Sequence, residues 1–333
     1  MLLEKLVKAF GVPGYEGEIR EIVKEHMEKY VDDVQVDTLG NVIGVKKGGE
    51  RKVLLAAHMD QIGFMVRGIT EDGYLVISPM GGVNPITLRS RIVRIRGKSG
   101  YVYGVIGEKP PHIEKKAEKK EIKDLRVDIG VERKEEAENL VSIGDVGSFL
   151  PNYYEIGNRI VATALDDRAG IYTLLKVMED FESEATIYFI ATVQEEVGLR
   201  GAKVSGFRVE PDIGIAIDVT HARMPGMGKD EMPVELGKGP TIGVGPTAHP
   251  KLVKHFINSA NGVPYQIEPN PSRSGTDADV IQLSREGVAT VVISIPLRYM
   301  HSSVEMIDKR DLENTIGLIR NALKGIDKVE LSL

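Results

Sequence analysis

Four apolar runs in this chain end on residues able to bind metal or move protons. Val53–Ala57 leads into His58-Met59-Asp60, and Thr186–Val193 into Gln194-Glu195-Glu196. Ile213–Ile217 leads into Asp218, and Thr290–Ile295 is followed within a few residues by His301. A further pair, Asp166-Asp167, stands just before a helical pattern that begins near Arg168. Each feature alone has a structural reading. A histidine beside a strand is commonly a packing residue, an Asp-Asp pair before a helix an N-cap, and a Glu-Glu pair solvated surface. Together they point elsewhere, because several carboxylates at one mouth repel one another and resist desolvation unless cations compensate.

The donor types narrow the cation. The chain has no cysteine, so disulfides, thiolate nucleophiles and sulfur-ligated zinc are excluded and any ion rests on His, Asp and Glu. Zinc or cobalt takes three or four such nitrogen and oxygen ligands and keeps a position for water. Counting ligands gives two ions: His58 with Asp218 for one, Glu196 with His301 for the other, and Asp166 able to bridge them. Paired ions lie roughly 3.5–4 Å apart and activate a shared water for attack on a carbonyl. Glu195 is then left over as a general base, and Asp60 is expected to hydrogen-bond the far imidazole nitrogen of His58. Among the other histidines, His26 and His255 fall in helical patterns, His112 in a Pro110-Pro111 turn and His249 ahead of a helix. His221, three residues from Asp218, is read as supporting the ligands or facing substrate.

These residues need a scaffold that delivers strand ends to one edge. The four runs read as strands buried on both faces, with helical spacing between them at Arg168–Met178 and Ile307–Leu323. That alternation predicts an α/β fold with a mostly parallel sheet, whose ligands bind beyond the carboxyl ends of the strands. Residues 1–30 predict two helices broken by Gly11–Gly17. Between about Gln61 and Tyr154 the pattern changes to short β-rich pieces, at Tyr74–Ser78, Ile92–Arg96 and Tyr101–Ile106, with one helical pattern at Lys134–Leu140. The expected division is an α/β catalytic domain of residues 1–60 and 155–333 with a small β-rich domain, 61–154, inserted in it. Lys115–Lys123 is expected to be a solvated loop.

Composition sets the class. A chain of 333 residues, 42% hydrophobic and 28% charged, folds rather than staying disordered. A net charge of −6 argues against nucleic-acid phosphate as a partner. No apolar run reaches the roughly 20 residues that cross a bilayer. The N-terminal MLLEKLVKAFG, interrupted by Glu4, Lys5 and Lys8, reads as an amphipathic helix rather than a signal peptide, so a cytoplasmic protein is expected. Absent Cys and Trp with abundant Glu, Lys and Arg hint at a thermophilic source.

The stretches AAHMDQIGFMV (56–66), LDDRAG (165–170), ATVQEEVGLRGA (191–202), AIDVT (216–220), SGTDADV (274–280) and SIPLRYMHSSVE (294–305) resemble the M42 family of dinuclear metallo-aminopeptidases. That group includes the tetrahedral (TET), deblocking and glutamyl aminopeptidases. The resemblance implies His58, Asp166 and Asp218 around one metal, Asp166, Glu196 and His301 around the other, and Glu195 as base. It also implies zinc or cobalt, peptide substrates, a PDZ-like dimerisation domain and assembly of dimers into a hollow tetrahedral dodecamer. Many relatives carry a Gly-rich run before the Thr-Asp-Ala, where this chain reads Pro269-Asn270-Pro271-Ser272-Arg273-Ser274-Gly275-Thr276-Asp277. Arg273 either points into the site, favouring acidic N-terminal residues, or faces solvent.

Two rival hydrolases and a non-enzyme stand against this reading. An M20-type carboxypeptidase or deacylase has similar metal motifs, but its extra domain follows the Glu-Glu and Asp elements, whereas the long gap here separates His58 from Asp166. Glycoside hydrolysis needs no paired histidines or metal. A non-catalytic peptide-binding or assembly protein would have no use for the complete ligand set and the spare Glu195. No GxxxxGK[ST] nucleotide loop and no GxSxG nucleophile elbow are present.

Overall fold

The computed structural model describes residues 1–110, 112–113 and 121–332. The expected loop at Lys115–Lys123 therefore lies largely outside the described residues. Helices α1 (Leu2–Lys8) and α2 (Gly17–Met27) flank the Gly- and Pro-containing break expected there. They bury Leu3, Leu6 and Val7, then Ile19, Val23 and Met27, at the spacing of a one-sided apolar stripe. Strands β1 (Asp33–Val36) and β2 (Val42–Lys46) form a hairpin, and β3 (Lys52–His58) follows.

The chain then leaves this sheet. Strands β4 (Gly63–Ile69) and β5 (Leu75–Met80) lead to the short helix α3 (Pro85–Leu88). Next come β6 (Arg91–Gly97), β7 (Gly100–Ile106), β8 (Arg126–Val127), helix α4 (Lys134–Leu140) and β9 (Val146–Phe149). These strands pair antiparallel in the order β7-β6-β9-β4-β5-β8, and a bridge between Val105 and Asp128 brings the two ends together like a barrel. The sheet has its own core, with Phe64, Val66, Leu75, Ile77, Val93 and Ile95 buried inside it.

After β10 (Tyr153–Ile156) and β11 (Arg159–Ala162) the chain returns through helix α5 (Leu165–Glu179) to the large sheet. Strand β12 (Thr186–Thr192), helix α6 (Arg200–Val209), β13 (Ile213–His221) and β14 (Thr241–Val244) follow. Helix α7 (Pro250–Ser259), β15 (Gln266–Pro269), α8 (Ala278–Ile281), β16 (Ala289–Leu297), β17 (Glu305–Asp308) and α9 (Lys309–Leu323) complete the order. A small antiparallel sheet joins β10, β11 and β17. Ile307, expected within the last helix, instead belongs to β17, because Asp308 caps α9 by accepting the Arg310 N–H at 2.9 Å.

The large sheet runs β1-β2-β12-β3-β13-β16-β14-β15. Its central strands β12, β3, β13 and β16 are parallel, as expected. The whole sheet is mixed, since β2 joins β12 and β14 joins β16 antiparallel. Strand β1 is antiparallel to β2 in turn, and there the reason is local. Asp37–Asn41 is far too short for the crossover that a parallel pair requires. Central strands bury both faces: along β3, Val53, Leu55 and Ala57 join the core under α5 and α9, while Leu54 and Ala56 join the core under α6 and α8. No described helix is long and apolar enough to cross a membrane.

Candidate metal centre

Because the central strands are parallel, their carboxyl ends share one edge, and the singled-out residues gather there. His58 ends β3, Glu195 and Glu196 follow β12, Asp218 lies in the last half of β13, and His301 follows β16. Asp166 enters from the start of α5, where neither it nor Asp167 has helical backbone angles. The Asp166 carboxylate is divided between two groups. Its Oδ1 is 3.1 Å from His58 Nε2 and its Oδ2 is 3.2 Å from His301 Nε2. Around His58, Asp218 Oδ1 lies at 4.0 Å and Glu195 Oε2 at 3.9 Å, while Glu196 Oε1 lies 3.3 Å from His301 Nε2. Ligand atoms of His58, Asp166 and Asp218, and of Asp166, Glu196 and His301, lie within 4.8 Å of one another in each group.

The electrostatics favour cations. Burial, followed by neighbouring carboxylates, pushes Glu195 up to about 10 and Asp218 well above its usual value. Burial also opposes charge on both imidazoles, yet they end up raised, His58 chiefly by Glu195 and His301 to about 11 by Asp166 and Glu196. Glu196 Oε1 is buried with no hydrogen-bond partner. So many acidic oxygens around two imidazoles fit divalent metal bound by nitrogen and oxygen donors. The residues singled out from the sequence lie together in these two groups, each of which could hold an ion.

The surroundings correct one expectation and add residues. Asp60 does not meet the far nitrogen of His58 with its carboxylate, which stands 3.6 Å away; the Asp60 backbone carbonyl does so at 3.1 Å. The carboxylate is turned away because it accepts the N–H groups of Glu195 and Glu196 at 2.9 and 3.1 Å. Asp167 behaves as the cap of the Asp-Asp pair: it accepts the Gly170 N–H at 2.9 Å and also the His58 N–H at 3.2 Å. Glu305 was not singled out from the sequence. It accepts the Asp166 N–H at 3.1 Å and the His301 N–H at 2.9 Å, and burial with the Asp166 charge pushes it up to about 8. Its only sequence signal is a carboxylate four residues after a candidate ligand. Glu16, also missed, accepts the Gln194 N–H at 3.2 Å.

A cavity of about 640 Å³ opens over these groups, with exposed His221 and Arg273 on its lining. Three further histidines are engaged elsewhere, His26 with Glu179, His249 with the Leu331 carbonyl and His255 with the Ala322 carbonyl, and His112 is exposed.

A model of the M42 glutamyl aminopeptidase family matches residues 40–318. The chain is 44% identical over 341 residues to the lysyl aminopeptidase of Pyrococcus furiosus, covering 99% of this chain and 98% of that protein. Among solved structures it is similar to an aminopeptidase from the archaeon Desulfurococcus kamchatkensis, with a TM-score of 0.92 at 41% identity, over 97% of this chain and 93% of the other. It is also similar to the TET1 peptidase of Pyrococcus horikoshii, described as able to assemble into a tetrahedron or a large octahedral shell. There the TM-score is 0.86 at 34% identity, over 97% of this chain and 99% of the other. These matches run through both large sheets and agree with one another, and the chain belongs to the M42 family of peptidases.

Proposed function

We propose that this chain is a metal-dependent aminopeptidase that uses two divalent ions, zinc or cobalt, to release N-terminal residues from peptides. The observation that carries the reading is the Asp166 carboxylate, with one oxygen toward each histidine, beside a Glu195 that belongs to neither donor group. His58, Asp166 and Asp218 would hold one ion, and Asp166, Glu196 and His301 the other. When bound, the ions supply Lewis acidity to the scissile carbonyl and lower the pKa of water. Glu195 accepts a proton from the attacking water and gives it to the amine nitrogen as the C–N bond breaks. Asp60 fixes the backbone of both glutamates, which keeps base and ligand in separate directions.

The test compares an unblocked peptide with its N-acetylated twin, using enzyme stripped by chelator and refilled with zinc or cobalt. Stepwise shortening of the free-amine peptide alone, and only with metal, is expected. Equal cutting of both would sink the aminopeptidase assignment, and cutting from the C-terminus would favour the M20-type rival. A protein that takes up no ion would favour the non-catalytic one.

Residues 61–154 are proposed as an inserted, PDZ-like dimerisation domain and the chain as a homo-oligomer, in line with the assemblies described for the TET1 relative. For the first substrate residue, the cavity favours a cationic side chain. Glu268 lines it near Asp218, its two oxygens accepting hydroxyls of Thr220 at 2.5 Å and Thr241 at 2.6 Å, and no ion pair neutralises it among the described residues. Asp279 is spent on the Ser274 and Gly275 N–H groups, and Arg273, though on the cavity's lining, is exposed to solvent. The lysyl specificity named for the Pyrococcus furiosus relative supports the same reading. Glu268→Gln is expected to cut kcat/KM for Lys-initiated peptides at least about tenfold while sparing Leu-initiated ones. An equal loss on both would deny Glu268 this role.

A further inference from the structure

The two histidines of the centre are held by different parts of the chain. His58 ends a central strand, is 3% exposed, and takes its contacts from Asp60 and Asp167, all within the α/β part. His301 is 29% exposed and sits in a turn at φ +59°, in the left-handed region that side chains disfavour. Something must hold it there. On its inner side Glu305 bonds the backbone N–H groups of His301 and Asp166 with its two oxygens.

On the outer side the contact comes from the inserted sheet. Residues 81–84 leave the end of β5 and run into α3. The Gly82 carbonyl lies 2.9 Å from His301 Nδ1, so a proton on that nitrogen leaves the Nε2 lone pair facing Asp166 and Glu196. The Thr87 hydroxyl lies 3.1 Å from the His301 carbonyl and 2.9 Å from that of Asn84, sharing one hydrogen between them. Close approach requires glycine here. A Cβ on Gly82 would stand 2.7 Å from His301 Cε1 and Nδ1, and one on Gly81, already at φ +81°, would stand 3.0 Å from Glu196 Oε2. The segment thus lies against two of the three side chains of one donor group and against the His301 backbone. It is stiffened by Asn84, which caps α3 by accepting the Ile86 N–H at 2.9 Å.

We infer that Gly81–Thr87 is a positioning strap for the Asp166–Glu196–His301 group, so that the affinity of this group for its ion depends on how the inserted sheet is seated, whereas that of the His58–Asp166–Asp218 group does not. The inference rests on the two-ion reading proposed above. It assigns the inserted segment a part in building the centre, independent of any role in assembly. No residue of the strap is itself a ligand, and its contacts with the centre are made through His301 and Glu196.

The experiment loads the full-length wild type, Gly82→Ala and Thr87→Val with zinc or cobalt and titrates each against a competing chelator. Bound metal is counted per chain, and cobalt absorption reports the coordination of each ion. Two ions in the wild type are expected. In Gly82→Ala one of them should bind 10–100-fold more weakly while the other keeps its affinity, and excess metal should restore turnover. Thr87→Val should weaken the same ion by a smaller factor. Wild-type chains that bind fewer than two ions would overturn the two-ion reading itself. Wild-type chains with two ions, alongside Gly82→Ala chains with both affinities and both spectra unchanged, would overturn the strap. Circular dichroism and thermal unfolding check that the variants fold, and should Gly82→Ala fail to fold, Thr87→Val decides. Unchanged affinities there would overturn the inference, and selective weakening of one ion would support it.

Discussion

Glu195 and Glu196 are neighbours in the chain with the same side chain, yet they face different partners. Glu196 Oε1 lies 3.3 Å from His301, whereas the nearest imidazole to Glu195 is that of His58, at 3.9 Å. Adjacent residues can diverge in this way because the segment leaves β12 through Gln194 at φ +56°, and because Asp60 and Glu16 hold the N–H groups of all three residues. Removing the charge of one glutamate should therefore separate proton transfer from metal binding. Glu195→Gln is expected to keep both ions, measured by elemental analysis, while kcat falls by about 10²–10⁴. Loss of an ion in that variant would mean that the roles of the two glutamates are exchanged.

At the scale of elements, the edge hairpin does more than extend the sheet. Asp37 accepts three backbone N–H groups of its own turn, from Leu39, Gly40 and Asn41. The turn in turn presents buried Asn41, whose Oδ1 accepts the Val193 N–H at 2.9 Å and whose amide donates to Asp37 and to the Gly201 carbonyl. A hairpin with short, half-exposed strands is thereby tied to the segment that carries Glu195 and Glu196. Asn41→Ala would leave the buried Val193 N–H without its acceptor and remove the second donor to the Gly201 carbonyl, which lies in α6. It is expected to lower the free energy of unfolding by about 1–3 kcal/mol, read from denaturant titration. No loss of stability would show that water replaces the amide at the Val193 N–H.

For the whole molecule, the outward face of β6 and β7 carries two groups of side chains, one packed and one exposed. Arg94 and Tyr101 pack with Phe10, and Tyr101 also bonds Glu18, which seats the inserted sheet on the N-terminal helices. Beside them Ile92 and Val105, directly paired across the strands, and Tyr103 remain exposed, 52%, 47% and 58% respectively. An apolar group of this kind on a small sheet suits burial against another copy of the chain. Ile92→Glu combined with Tyr103→Glu is expected to reduce the particle mass in light scattering while short-peptide turnover per chain is retained. A mass equal to that of the wild type would place the contact between copies elsewhere.

How much of this was legible beforehand follows from which forces are local. The apolar runs, their burial on both faces and the helices around them depend on side-chain type and periodicity, which the sequence carries directly. So does the placing of His58, Glu195, Glu196 and Asp218 along one edge, because parallel strands send their ends the same way. The antiparallel flanks of the large sheet were missed on the same grounds, since pairing direction depends on which strand is the neighbour. The Asp60 carboxylate turned from His58 to the backbone of Glu195 and Glu196, which come alongside only once β3 and β12 pair. Glu305 carried only its place four residues after His301, and Gly82 no signal, because their roles are hydrogen bonds to groups brought near by packing; Gly82 and His301 are 219 residues apart. The sequence by itself determined the donor types, their order and the family. Tertiary structure alone decided which oxygen faces which histidine, because donor geometry is set by contacts between segments distant along the chain.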